Sequence, residues 1–158
     1  MLLQKTKDGY LEINSKKCSI IFNDKITVNE IELEGAGEYE IGEVAIEGID
    51  DEAYVFQIED IVLGSVNFKT KISKENIEKL SNADAILLRL DGKASEAVEA
   101  AGQIGSTIVV YFGTDKAESA LKSAGATFEK IESLKITKAD ITEEKSYFVE
   151  VANGTSDL

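Results

Sequence analysis

The chain has 158 residues, 43% of them hydrophobic and 30% charged, with 30 acidic against 17 basic residues and a formal charge of -13. That length and balance fit one globular domain with a substantial core. The acidity opposes binding to nucleic acid or an anionic lipid surface, and no apolar run approaches the ~20 residues of a membrane-spanning helix. Histidine and proline are absent and Cys18 is the only cysteine. A Ser-His-Asp triad, a Cys-His pair, an imidazole zinc site and an internal disulfide are therefore all excluded. A lone thiol and an amino-terminal stretch without a long apolar segment give a cytoplasmic location as the expectation.

In chain order, the first third reads as β-structure. Tyr10 to Asn14 and Cys18 to Phe22 are β-prone runs joined by the polar turn Ser15-Lys16-Lys17. Ile26 to Val28, Ile31 to Leu33, Glu38 to Ile41 and Val44 to Ile49 alternate with the period of two of a half-buried strand, interrupted at Gly35-Ala36-Gly37. The turn Asp50-Asp51-Glu52 leads to a further pair, Tyr54 to Ile58 and Ile61 to Leu63. This is a run of hairpins without a helix.

The second half changes period. Ser73 can cap a helix reaching about Asn82, with Ile72 and Ile77 spaced as a hydrophobic staple. Ala85 to Leu90 is a near-continuous apolar strand of the kind buried on both faces. A second helix spans roughly Lys93 to Ile104, and Thr107 to Phe112 is the next buried strand. Thr114 opens a third helix, which Gly125 stops. Thr127 to Lys130 and Ser146 to Val151 are late strands, with a capping box at Thr137 to Asp140 between them. From about residue 152 to Leu158 the chain reads as a frayed tail. A β-meander followed by alternating strands and helices predicts a single α/β domain over residues 1–158, with two sheets and a partly parallel one among them.

Two stretches carry a resemblance. Glu34 to Ile49 (EGAGEYEIGEVAIEGI) is similar to a Gly-Pro-Gly-Glu-Tyr-Glu-Ile segment of small stand-alone members of the metallo-β-lactamase superfamily. Ile131 to Glu144 (IESLKITKADITEE) resembles the segment before the last strand of that group. The resemblance implies an αββα sandwich of two mixed β-sheets flanked by helices, here truncated, with metal ligands on loops at one edge of the sheets. The family's His-x-His-x-Asp-His motif would fall between Phe22 and Gly35, where nothing matches and a loop and helix are missing. Asp50-Asp51-Glu52 stands near the next histidine, Ser65 replaces a bridging aspartate after Leu63-Gly64, and Gly113 aligns with the last histidine. No metal-binding residue of the family is carried over, and no cofactor is expected.

Other candidates are weaker. Asp50, Asp51 and Glu52 could form a hard-cation cluster, although their spacing matches no calcium loop. Glu38 and Glu40 share a strand face, as paired carboxylates for acid–base work would, but alternating Glu is common in half-exposed strands. Gly35, Gly37 and Gly42 precede strands, not a helix, so they are turn glycines, not a phosphate cradle. Gly113-Thr114-Asp115 opens a helix, where Asp115 opposes an anion. Cys18 sits in an apolar run and reads as inert. The expectation is a non-catalytic pseudoenzyme, acting through protein contacts or self-association as a homo-oligomer at an apolar edge left uncovered by the missing segment. The alternatives are a hydrolase with a carboxylate-based or hard-cation site, and a small-ligand sensor.

Overall fold

The computed structural model describes residues 1–68, 72–90 and 93–152. The expected tail lies, from residue 153 on, outside the described residues. The first sheet contains β1 (Leu2–Lys5), β2 (Leu11–Asn14), β3 (Ser19–Phe22), β4 (Ile26–Val28), β5 (Ile31–Glu32) and the late β13 (Ser133–Lys135), in the order β13-β1-β2-β3-β4-β5. The second contains β6 (Gly37–Ile41), β7 (Val44–Gly48), β8 (Ala53–Ile58), β9 (Ile61–Phe68), β10 (Ala85–Leu90), β11 (Ile108–Gly113), β12 (Glu129–Lys130) and β14 (Lys145–Glu150). Its order is β12-β14-β11-β10-β9-β8-β7-β6. From β6 to β9 the pairs are antiparallel hairpins, and from β9 to β12 they are parallel. Among the described residues three helices connect the parallel strands: α1 (Lys74–Leu80), α2 (Ala94–Ile104) and α3 (Asp115–Ser123).

The α/β expectation of two sheets with a partly parallel one holds. The six-stranded sheet, however, is antiparallel throughout and not mixed. The buried residues of all three helices, among them Leu80, Ala97, Ile104 and Leu121, pack with Ile86, Leu88 and Phe148 on the outer face of the eight-stranded sheet. Among the described residues no helix covers the outer face of the six-stranded sheet, so the layers are sheet, sheet and helices. The reason is visible in the chain. Hairpin strands with one apolar face need only one covering layer, whereas β10 and β11, buried at every position, need two.

One strand boundary and two whole strands also differ from expectation. Strand β9 continues past Leu63 to Phe68, because β10 pairs with it in parallel from Leu63↔Ala85 to Phe68↔Leu90. Strands β1 and β13 were not legible, being only four and three residues long, with β1 paired to both β13 and β2. Helix ends follow their caps. The Ser73 hydroxyl accepts the Asn76 N–H at 3.2 Å, and Gly105, at φ +71°, closes α2. Thr114 occupies the N-cap of α3 but makes no side-chain cap bond.

The core between the sheets is joined by aromatic rings. Phe22 meets Phe56 edge-on at 6.0 Å and Phe112 at 6.1 Å, linking β3 of one sheet to β8 and β11 of the other. Leu3, Ile13, Ile20, Leu87 and Val110 complete this layer with no exposed surface, each burial being worth about 1.5–3 kcal/mol.

Candidate functional site

Strand alternation builds the site. On β9 the inter-sheet face carries Leu63, then Ser65, then Asn67, and on β10 it carries Ala85, Leu87, then Arg89. Arg89 lies in register between Asn67 and Phe112. Towards the carboxyl ends of the central parallel strands the apolar layer therefore gives way to a polar row. Ligands of open α/β sheets bind outside these carboxyl ends.

Here a cavity of about 350 Å³ opens between the sheets. Its far wall is the β3–β4 turn, Asn23-Asp24-Lys25, followed by Ile26 and Leu33. Its side is formed by Glu34-Gly35, where the chain crosses from one sheet to the other, and by Asp51 and Glu52 of the β7–β8 turn. Phe22 and Phe112 separate it from the core.

The crossing segment is fixed at several points. The Gly35 N–H donates to the buried Tyr54 hydroxyl at 2.9 Å, and the Tyr39 hydroxyl donates to the carbonyls of Glu34 and Gly35, at 2.8 and 3.0 Å. Gly35 has φ +71°, a left-handed conformation that glycine adopts at little cost. It also passes so close to Gly48 that a Cβ there would lie 2.1 Å from the Gly35 carbonyl oxygen. Burial pushes the Tyr54 hydroxyl above its ordinary pKa, against the smaller opposing effect of the Gly35 N–H. The Tyr54 side chain is a neutral phenol at physiological pH.

Arg89 is the chain's only arginine and its side chain is 11% exposed. Its guanidinium donates to the Asn23 carbonyl and lies 3.8 Å from the Asp24 carboxylate. Three side-chain oxygens are buried with no hydrogen-bond partner among the described residues: Asn23 Oδ1, Ser65 Oγ and Asn67 Oδ1. All three belong to residues that line this cavity. An unsatisfied buried polar atom costs about 1–3 kcal/mol, so their grouping in one place is a local expense without a structural return.

The residues singled out from sequence separate. Asp50 is turned away to α1, where its carboxylate accepts the Asn76 side-chain amide at 2.6 Å and the Glu52 N–H at 2.8 Å, while Asp51 and Glu52 line the cavity. Among the described residues no group of three Asp, Glu or Cys side chains is arranged to hold a metal ion. Glu38 and Glu40 are exposed on the edge strand β6. Gly113 packs against Ala117 at the start of α3. Cys18 is buried, and burial raises its thiol pKa despite a hydrogen bond with Ser15 that lowers it, so it is no thiolate nucleophile.

Sequence reasoning missed Arg89, Asn67, Asn23 and Tyr54. A signal existed for Arg89, since a charge inside a strand buried on both faces must be neutralised or used. Asn67 could not be found while β9 was expected to end at Leu63. No family model, curated protein or solved structure matches the chain.

Proposed function

We propose that the chain is a non-catalytic protein of metallo-β-lactamase type whose inter-sheet cavity binds a small ligand. The observation that carries this reading is the convergence of Asn23, Ser65 and Asn67, with their orphaned oxygens, around a buried arginine at the carboxyl ends of parallel strands. The resemblance supports it as well. The segments aligned with the family's metal-binding loops, 23–34, 50–52 and Ser65, contribute most of the lining. The lining does not fit the zinc that the resemblance implies. It offers amide, hydroxyl and carboxylate oxygens with a guanidinium among them, and neither imidazole nor thiolate. No hydrolytic step through a metal is derived.

The self-association reading has a narrower basis. Among the described residues the exposed large apolar side chains are Leu2 and Ile31, and Ile31, 53% exposed, sits on the two-residue edge strand β5. Native mass spectrometry at micromolar concentration distinguishes the two, since an assembly module gives dimers or higher species that Ile31→Lys abolishes. No helix among the described residues is long and apolar enough to cross a membrane.

A binding site that sacrifices stability has a recognisable signature. Ser65→Ala should raise the unfolding free energy of the ligand-free protein, by about 1 kcal/mol, because it removes a buried hydroxyl without a partner among the described residues. Arg89→Met, in contrast, takes the donor from the Asn23 carbonyl and should lower that free energy. A small-molecule thermal-shift screen should find stabilising compounds whose effect these variants lose. A Ser65→Ala protein less stable than the parent would mean that the polar row holds the fold together, and the ligand-site reading would be withdrawn.

A further inference from the structure

We infer that the cavity takes a small zwitterion of the amino-acid class, its carboxylate on the Arg89 guanidinium and its ammonium toward the acidic rim. This rests on the reading of the cavity as a ligand site and specifies its chemistry. The charges are separated by depth. Arg89 lies at the floor with its side chain 11% exposed, whereas Asp24 stands at the mouth, 41% exposed, with Glu34 and Asp51 also exposed there. Among the described residues, Glu52 and Lys25 are the other charged groups of the lining.

A guanidinium presents five N–H donors in a planar fork. Among the described residues two groups engage it, the Asn23 carbonyl and Asp24. The Asp24 contact, at 3.8 Å, is longer than the ~2.7–2.9 Å of a direct charge-assisted bond. Capacity for a bidentate carboxylate therefore remains. A simple anion would have to pass four rim carboxylates, and a simple cation would have to meet Arg89; each is opposed by one half of the lining. A zwitterion is opposed by neither.

Around Arg89 lie the oxygens of Asn67 and Asn23 and, one pleat deeper beside Leu87, that of the 3% exposed Ser65, all without a partner among the described residues. Phe22, Ile26, Leu33 and Phe112 supply apolar wall for a side chain. The volume, about 350 Å³, sits at the small end of ligand sites, which run from about 300 to 1,000 Å³.

The test is titration calorimetry and thermal shift on the full chain with the standard L-amino acids, and for the best of them with its single-charge analogues. For L-leucine these are isocaproate, which lacks the ammonium, and isoamylamine, which lacks the carboxylate. Glucose serves as the neutral hydrogen-bonding control. The expected result is that at least one apolar amino acid raises Tm by several degrees while each analogue binds at least ~10-fold more weakly. Arg89→Met should weaken the amino acid ~100-fold and leave the amine unaffected, a cooperative unfolding transition showing that the variant is folded. An amine binding as tightly as the amino acid overturns the role of Arg89. Glucose binding that depends on Ser65 and Asn67, with no amino acid effect, overturns the zwitterion and keeps the site. Silence from every probe, together with lower stability of Ser65→Ala, overturns the ligand-site reading with it.

Discussion

The two ends of the space between the sheets treat polar groups in opposite ways. At the carboxyl ends of β9, β10 and β11 three oxygens beside Arg89 are buried without partners among the described residues. At the other end, below Ile108 and Lys145, polar groups are paired closely. The Asp140 carboxylate accepts the Thr137 N–H at 2.9 Å and the Thr137 hydroxyl at 2.7 Å, across a single 3₁₀ turn. Asp84 accepts the Val62 N–H at 2.9 Å and stands 3.4 Å from the Lys138 ammonium. One fold supports both ends, so the difference is not a general looseness of packing. Where polar groups serve the fold they find partners locally in sequence or at the start of a strand. Where they do not, they are left without a partner among the described residues.

The largest expected effect lies where the two ends meet. Phe56, fully buried, joins Phe22 across the sheets. Phe56→Ala should cost about 3–5 kcal/mol in chemical denaturation. A loss much below that range would mean that the layer beneath the cavity is already loosely packed, and the contrast between the ends would shrink to a matter of general disorder. Next comes Gly48→Ala. Its new methyl would collide with the Gly35 carbonyl, a backbone atom that can move only by displacing the Glu34-Gly35 crossing. A cost of about 1–3 kcal/mol is expected. Ligand binding at the cavity should fall with it, while hydrogen exchange of the Thr137 to Ile141 turn stays unchanged. Protection lost equally at both ends would show that they are one cooperative unit and would break the comparison.

Much of the scaffold was legible from the chain. Alternation in Ile26–Val28 and Val44–Gly48, the apolar runs of β10 and β11, and the Ser73 and Gly125 signals lie where physics places strands, helices and stops. The capping pattern at Thr137 and Asp140 was legible too, because it is a local device of four residues. The cavity was not, for a physical reason. Ser65, Asn67, Arg89 and Asn23 come together only through the register of β9 with β10 and the stacking of two sheets, and sequence pattern fixes neither. A local signal did exist at Asp50-Asp51-Glu52, but there the structure sends the first carboxylate to Asn76 and only the other two into the cavity. The single charge in the otherwise apolar β10 was the strongest unread cue.

The smallest expected effect sharpens the contrast from the satisfied end. The Thr137 hydroxyl, and then its N–H, hold the Asp140 carboxyl below the ordinary aspartate range, with Lys145 and Lys135 adding to them. A carboxyl whose pKa is lowered by folding binds protons more readily in the unfolded chain. Its contribution is therefore present above the unfolded value, about 4, and is lost as pH falls through the lower folded value. Asp140→Asn should lower the thermal midpoint slightly at neutral pH, and the difference from the parent should vanish as the solution is acidified past that window. Ser65→Ala, at the other end, exchanges one uncharged group for another. Its effect should have the opposite sign and should not change with pH over the same range. Parallel pH dependence of the two variants would mean that the Asp140 bond contributes no proton-linked stability. The pairing at that end would then be geometry alone, and the difference between the ends would rest on the orphaned oxygens of the cavity.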